Sequence, residues 1–303
     1  MRAEVGVQRF ACTQCGKCCN RSPEVELSEA AALSDTFVFR LMFRLYWLPG
    51  QLSDYRRMVE PTANSSSVFF EKKRLLNVFA ARKYSAMALL EGKPVAYTKY
   101  LVISALALDT VEGACGALRD KTCGIYGRRP LSCRSVPLHY SRAEALAERD
   151  LAAFVGTSGY RCDTSDSAPI ILKDGRIVDP QIRAARSDAI EVAKNDHCWS
   201  KAIVRRMGGS ASSGETLPSL EDIEANAAVG ATTIPMRTAW QIAAEAGLIS
   251  QSDCDRLVEL QLGAIRQELT HGRCSRETIV TLTEMESEYG HHPKGPPSIA
   301  IRG

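Results

Sequence analysis

The chain has little surplus charge of either sign: 38 lysines and arginines against 35 aspartates and glutamates leave a formal net charge of +3 over 303 residues. So close a balance gives no broad field to draw nucleic acid or an anionic membrane onto the surface, and neither partner is read from it. Long apolar runs are missing as well. Residues 37–48 are interrupted by Arg40 and Arg44, and residues 101–108 are too few, since a membrane-spanning helix takes about 20 residues. The first ten residues hold no apolar core of the kind a secretory signal carries, which gives a cytoplasmic expectation. There is no glycine-rich cofactor fingerprint, no paired-carboxylate arrangement and no Ser/His or Cys/His constellation apart from the cysteines, so the familiar hydrolytic and nucleotide-cofactor chemistries have no signature here. The basic triplet Lys72-Lys73-Arg74 lacks a glycine-rich loop or interleaved aromatics and reads as a solvated helix face.

What the chain does have is cysteine. Eleven thiols are far below the density of a small disulfide-stapled scaffold, and in a reducing compartment thiols clustered at short spacing are metal ligands or redox groups more often than disulfides. Four of them, Cys12, Cys15, Cys18 and Cys19, fall within eight residues as CxxCxxCC. Three at successive intervals of two let a tight loop turn each sulfur toward one ion or cluster. A second region, ninety-five residues further on, contains Cys115, Cys123 and Cys133 in a stretch broken repeatedly by glycine and proline, which marks it as loop and turn.

The two regions together, with Cys115, Cys123, Ile125, Tyr126, Arg129, Pro130, Cys133, Arg134 and Pro137 in the second, resemble the CxxCxxCC, or YkgJ-like, cysteine-cluster family, described as zinc- or iron-chelating proteins. The resemblance covers about residues 10–165 and implies a further ligand beyond the Cys-Arg element, a place that Cys162 fills. It implies metal ligation by Cys12, Cys15, Cys18, Cys19, Cys115, Cys123, Cys133 and Cys162.

The chemistry of the donors leaves the metal open. Zinc takes four thiolates in a closed tetrahedron, and eight cysteines suffice for two such sites. An iron–sulfur cluster also takes four, and CxxCxxC with a remote fourth cysteine is how bacterial ferredoxin loops hold one, so spacing favours a 4Fe-4S cluster over Zn²⁺. Adjacent Cys18 and Cys19 point in different directions: they serve different metals, face opposite sides of one cluster, or leave one thiol free. Arg129 and Arg134 flank Cys133, where a guanidinium offsets thiolate charge and donates to sulfur, unless each pairs with an ordinary carboxylate. Tyr126 either packs over the site or belongs to the core. His139, six residues after Cys133, is a possible mixed ligand; His197-Cys198 is assigned to packing, and Cys254 and Cys274 to buried thiols acting as small hydrophobes.

The periodicities predict a predominantly helical α+β fold with cysteine-rich metal-binding loops, a few short strands and a helical C-terminal region. Residues 36–48 read as an amphipathic helix, 68–90 as a second helix, 97–108 as a buried strand, 142–154 as a helix and 181–207 as one long helix. Ile170 to Asp179 is the clearest hairpin, turning at Asp174-Gly175. Helices are expected at about 219–228, 236–246, 252–270 and 275–289. The organisation expected is a metal-binding domain over 1–207, a flexible stretch from Gly208, a helical region over 215–290 that offers a surface for a protein partner, and a flexible tail over 291–303.

Two functions from different classes follow. The first is a metal-binding protein whose cluster is structural or carries electrons or a metal ion, including the case of a purely structural zinc module that supports a helical interaction domain. The second is a metal-dependent modifying enzyme, because flagellin lysine-N-methylases carry a related cysteine signature.

Overall fold

The computed structural model describes residues 6–59, 64–110, 114–209, 216–228, 230–271 and 273–290. The expected tail at 291–303 and most of the glycine–serine stretch after Gly209 lie outside the described residues. Along the chain run β1 (Val7–Arg9), β2 (Glu24–Val25), α1 (Leu27–Ala32), β3 (Phe39–Pro49), α2 (Leu52–Met58), α3 (Ser65–Phe79), β4 (Ala80–Leu90) and β5 (Lys93–Ala107). A small hairpin follows, β6 (Leu118–Arg119) and β7 (Thr122–Cys123), then α4 (Leu131–Arg134), α5 (Ala147–Val155), β8 (Ile170–Lys173), β9 (Arg176–Ile177), α6 (Pro180–Asn195) and α7 (His197–Arg206). The remainder is α8 (Leu220–Asn226), β10 (Thr232–Pro235), α9 (Arg237–Glu245), α10 (Gln251–His271) and α11 (Arg276–Gly290).

The fold is mixed α+β, and beside its short strands it has three long ones, β3, β4 and β5. The residues expected as an amphipathic helix at 36–48 form β3 instead, paired antiparallel with β5 from Phe39↔Ala107 to Pro49↔Tyr97. Arg40 and Arg44 are four apart, a spacing that puts them on one side of a helix and equally on one side of a strand. The long partner strand decides between the two. The helix expected at 68–90 ends at Phe79, and Ala80–Leu90 turns into β4, the other arm of a hairpin with β5. That hairpin closes through Glu91 and Gly92, whose φ angles of 51° and 75° are the left-handed pair of a two-residue hairpin turn.

The sheet runs β10-β3-β5, and β2 and β4 both pair with β5 along its other edge. Phe39, Leu41, Phe43, Leu101, Ile103 and Ala105 face a layer built by α9, α10 and α11, in which Trp240, Ile242, Leu257, Ile265, Leu282 and Tyr289 are buried. The region at 215–290 therefore contributes a strand to the sheet and half of the main core. Gln261 of α10 fastens it: its amide donates to Ser34 O at 2.9 Å and Phe37 O at 2.6 Å, and its carbonyl accepts the Phe39 amide at 2.6 Å. Each of these backbone groups is otherwise buried without a partner, a costly state.

A second, smaller core is built by Phe10, Leu138, Leu151, Ile171, Leu172 and Ile182. It rests on the β8–β9 hairpin, which turns at Asp174-Gly175 as expected and pairs with β1. The single helix expected at 181–207 is two. Asp179 caps α6, accepting from the Ile182 amide at 2.8 Å with Pro180 in the first turn. The break falls at Asp196, whose carboxylate is held by the Ser28 amide at 2.8 Å and its hydroxyl at 3.1 Å.

Candidate metal centre

The first cysteine loop leaves β1 and is laid along the segment that carries Cys162. Phe10 donates to Pro169 O at 3.1 Å, Ala11 and Asp163 exchange backbone hydrogen bonds at 2.7 and 3.1 Å, and Thr13 Oγ1 donates to Arg161 O at 2.8 Å. Gln14 and Gly16, with φ of 56° and 70°, turn the chain back on itself. The Cys12 sulfur accepts from the Gln14 amide at 3.4 Å, and the Cys19 amide donates to Gly16 O at 3.1 Å. Gly16 has no room for a side chain: a Cβ there would stand 2.4 Å from Lys121 O. The loop thus sits directly on the β6–β7 hairpin that carries Cys123.

The second cysteine region is tied to the first through the backbone. The Cys115 amide donates to Cys19 O at 2.8 Å, Leu118 donates to Cys115 O at 3.0 Å, and Gly124 donates to Ala117 O at 2.9 Å. Cys133 lies on α4, whose first amide, that of Leu131, donates to Glu29 Oε1 at 2.8 Å. A carboxylate on α1 therefore positions the turn that presents Cys133, as an acidic group at a helix start does.

All eight predicted ligands, Cys12, Cys15, Cys18, Cys19, Cys115, Cys123, Cys133 and Cys162, line one cavity of about 110 Å³. All eleven cysteines of the chain are free thiols. No carboxylate or imidazole lines the cavity, its charged residues are Arg21 and Arg129, and beside the thiols the other side-chain donors are the oxygens of Thr13, Gln14, Tyr126 and Tyr160. Aromatic and aliphatic side chains, among them Phe10, Phe37, Ile125, Val136 and Phe154, form the rest of the wall. A donor set of this kind fits a thiophilic ion or an iron–sulfur cluster. Among the described residues no three His, Cys, Asp or Glu side chains stand close enough to hold a single ion, so what the thiols share is a cavity rather than a closed coordination sphere.

The thiols perturb one another strongly. Cys19 donates a hydrogen bond to Cys18, which lowers Cys18 to about 7, against the opposing effect of burial. The same bond, burial and the charges of Cys18, Cys115 and Cys133 push Cys19 far up. Burial raises Cys133 to about 12, with Cys115 and Cys123 adding to it, and raises Cys162 to about 11, with Cys18, Cys15 and Cys12 adding. Cys15 is lowered, chiefly by the hydrogen bond its sulfur accepts from the Lys17 backbone. Removing the protons together needs a counter-charge, which a bound cation supplies.

The arginines flanking Cys133 part company. Arg129 lines the cavity, its guanidinium 3.7 Å from the centroid of the Tyr126 ring and its Nε donating to Tyr126 O at 3.1 Å. Its charge favours the thiolate of Cys18 and partly opposes the burial that raises Cys133. Tyr126 lines the cavity too, as the platform under that guanidinium. Arg134 does not line the cavity and reaches the exposed Asp188 at 3.4 Å. His139 stacks on Tyr140 and exchanges hydrogen bonds with Ser141, away from the lining, and burial lowers it to about 4. Cys198 is exposed on α7, whereas Cys254 is buried in the main core and Cys274 packs against it. Arg21 and Tyr160 line the cavity without having been singled out in the sequence; the one available cue is that each lies within two residues of a ligand-type cysteine, Cys19 or Cys162. Neither protein-family models, nor curated proteins, nor solved structures give a match to this chain, so its chemistry is read from its own residues.

Proposed function

We propose that this chain is a metal-binding protein that holds an iron–sulfur cluster, or zinc, on thiolates drawn from its N-terminal loop and from the 115–162 region. One observation supports this most: eight cysteines, separated by up to 150 positions in the chain, converge on one cavity whose lining holds no carboxylate or imidazole. Sulfur is the donor that both zinc and iron–sulfur clusters select. Arg129, spread over Tyr126 at the rim, is placed to offset the net negative charge of a thiolate site. The resemblance of the cysteine spacing to zinc- and iron-chelating proteins points the same way.

Thiol titration tests the reading. In the metal-loaded chain the eight cavity cysteines should resist an aromatic disulfide reagent, while exposed Cys198 reacts. Adding a chelator should expose the eight. Equal reactivity of the cavity cysteines with and without chelator counts against the proposal.

A further inference from the structure

The β4–β5 hairpin is longer than the sheet that carries it. β3 ends at Pro49, paired with Tyr97, and past that point the hairpin continues on its own from Met87↔Ala96 to Leu90↔Lys93. Successive side chains of a strand point to opposite faces, so Lys83, Ser85, Met87 and Leu89 share one face with Pro94 and Ala96 across the pairing. Leu48 and Tyr100 lie on that face too, where they are buried with Tyr55 of α2 and Val68 and Phe69 of α3. The cover stops short of the tip: Met87 is 67 % exposed and Leu89 73 %, with Pro94 and Ala96 exposed opposite them. On the other face of the same tip Val95 and Tyr97 are buried. The two helices that flank the tip have exposed apolar residues of their own, Met58 at 46 % and Phe70 at 59 %. Arg57 ties α2 to the tip, donating to Leu90 O at 3.3 Å and pairing with Glu91 at 3.0 Å. Lys83 ties β4 to α3, donating to Asn77 at 2.9 Å, and the Tyr55 and Phe69 rings join α2 to α3 at 5.3 Å.

The same segment holds the positive surplus of the chain. Residues 52–93 carry eight lysines and arginines against four aspartates and glutamates, a larger excess than the +3 of the whole chain. The overall balance therefore averages a basic patch with a remainder in which the two signs nearly cancel. The described acids of the segment are already engaged: Arg57 takes Asp54 and Glu91, and Glu71 faces Arg186 at 3.7 Å. Among the described residues no carboxylate pairs with Lys72, Lys73, Arg74, Lys83 or Lys93. Lys72 and Lys73 rest on the Tyr55 and Phe69 rings instead, at 5.6 and 5.8 Å.

We infer that this face is a peripheral membrane site, at which the unpaired lysines and Arg74 meet anionic lipid headgroups while Met87, Leu89 and Phe70 enter the boundary with the acyl chains. Uncompensated basic residues beside exposed apolar side chains suit a surface that lies on anionic lipid. The contact is with one leaflet, and no helix among the described residues is long and apolar enough to cross a bilayer. A second copy of the chain suits the face less, because an isologous contact sets the same unpaired lysines against each other. Nucleic acid suits it less as well, since bases stack on aromatic platforms and the tip is aliphatic.

The experiment is co-sedimentation of the full chain with vesicles of phosphatidylcholine alone and of phosphatidylcholine mixed with phosphatidylserine. Wild type should sediment with the mixed vesicles only, and less so as salt rises. Lys72→Gln, Lys73→Gln and Arg74→Gln together should weaken that binding about a hundredfold, from about 1 kcal/mol for each basic residue near an anionic surface. Met87→Ser with Leu89→Ser should weaken it about tenfold or more, and Lys201→Gln, at an exposed position on α7, should leave it unchanged. Far-UV circular dichroism checks that the variants fold. Absence of binding to the mixed vesicles, equal binding to both kinds, or binding that the triple and double variants both keep overturns the proposal. So does a dimer, or a complex with a single-stranded oligonucleotide, that forms through Met87 and Leu89 while vesicles are not bound.

Discussion

Replacing Gly16 by alanine probes how the first cysteine loop is seated on the hairpin that carries Cys123. Two costs add. Gly16 has φ of 70°, a left-handed conformation that costs a residue with a side chain about 1–2 kcal/mol. The new methyl group would also stand 2.4 Å from Lys121 O and 3.2 Å from Leu118 Cδ2. The nearer contact is with backbone, which cannot rotate away, so loop or hairpin must shift at a cost of about 1–3 kcal/mol, as at other overpacked sites. Gly92→Ala is the control. Its φ is 75°, but nothing lies within 4 Å of the added Cβ, so only the conformational cost applies. Denaturant unfolding of the metal-free chain should therefore show a loss of about 2–5 kcal/mol for Gly16→Ala and about 1–2 kcal/mol for Gly92→Ala. Metal retention should fall in the first variant and stay unchanged in the second. Equal destabilisation by the two substitutions, or full metal content in Gly16→Ala, refutes the seating.

Three further outcomes are expected. Gln261→Leu leaves the Ser34 and Phe37 carbonyls and the Phe39 amide without their partner, so the chain should lose about 3 kcal/mol or more in thermal or denaturant unfolding, at about 1–3 kcal/mol for each buried group left unpaired; a loss below 1 kcal/mol contradicts the bridging role. Burial, then the charges of Asp196, Glu29 and Glu24, raise the Glu26 carboxyl to about 8 from 4.5. The folded chain therefore binds more protons there than the unfolded one between these values, and stability should fall as pH rises through that window. Glu26→Gln, which keeps the neutral shape, should flatten that slope, and an unchanged slope shows that Glu26 is not its source. Arg129→Ala should weaken metal retention or shift the reduction potential, since Arg129 lines the cavity. Arg134→Ala should change stability by no more than about 0.5 kcal/mol, as for an exposed ion pair; the reverse order would reassign the two arginines.

The candidate site was far more legible in the sequence than the fold that assembles it. In the N-terminal loop the close spacing of Cys12, Cys15, Cys18 and Cys19 carries its meaning by itself, whereas Cys115, Cys123, Cys133 and Cys162 were implied by the family resemblance; these eight are the ones that line the cavity. The hairpin at Asp174-Gly175 was legible for a similar reason, since turn chemistry is local. By contrast, β3 was hidden because Arg40 and Arg44 fit both periods, and β4 because Ala80–Leu90 is rich in residues that suit helices. Both become strands through pairing with β5, a long-range term that propensity does not contain. The integration of the C-terminal helices was out of reach for the same reason: it depends on β10 pairing with β3 and on Gln261 reaching backbone more than two hundred residues away. Arg21, Tyr160 and the separate fate of Arg134 are set by where the chain returns in space.

The central claim is that the cysteine-lined cavity is a metal centre, and elemental analysis of the anaerobically purified chain tests it most directly. The account predicts iron with a matching amount of acid-labile sulfide, or stoichiometric zinc without colour, in either case lost when Cys12, Cys15, Cys115 and Cys123 are replaced together by serine. Wild-type protein that is folded and contains neither metal contradicts it.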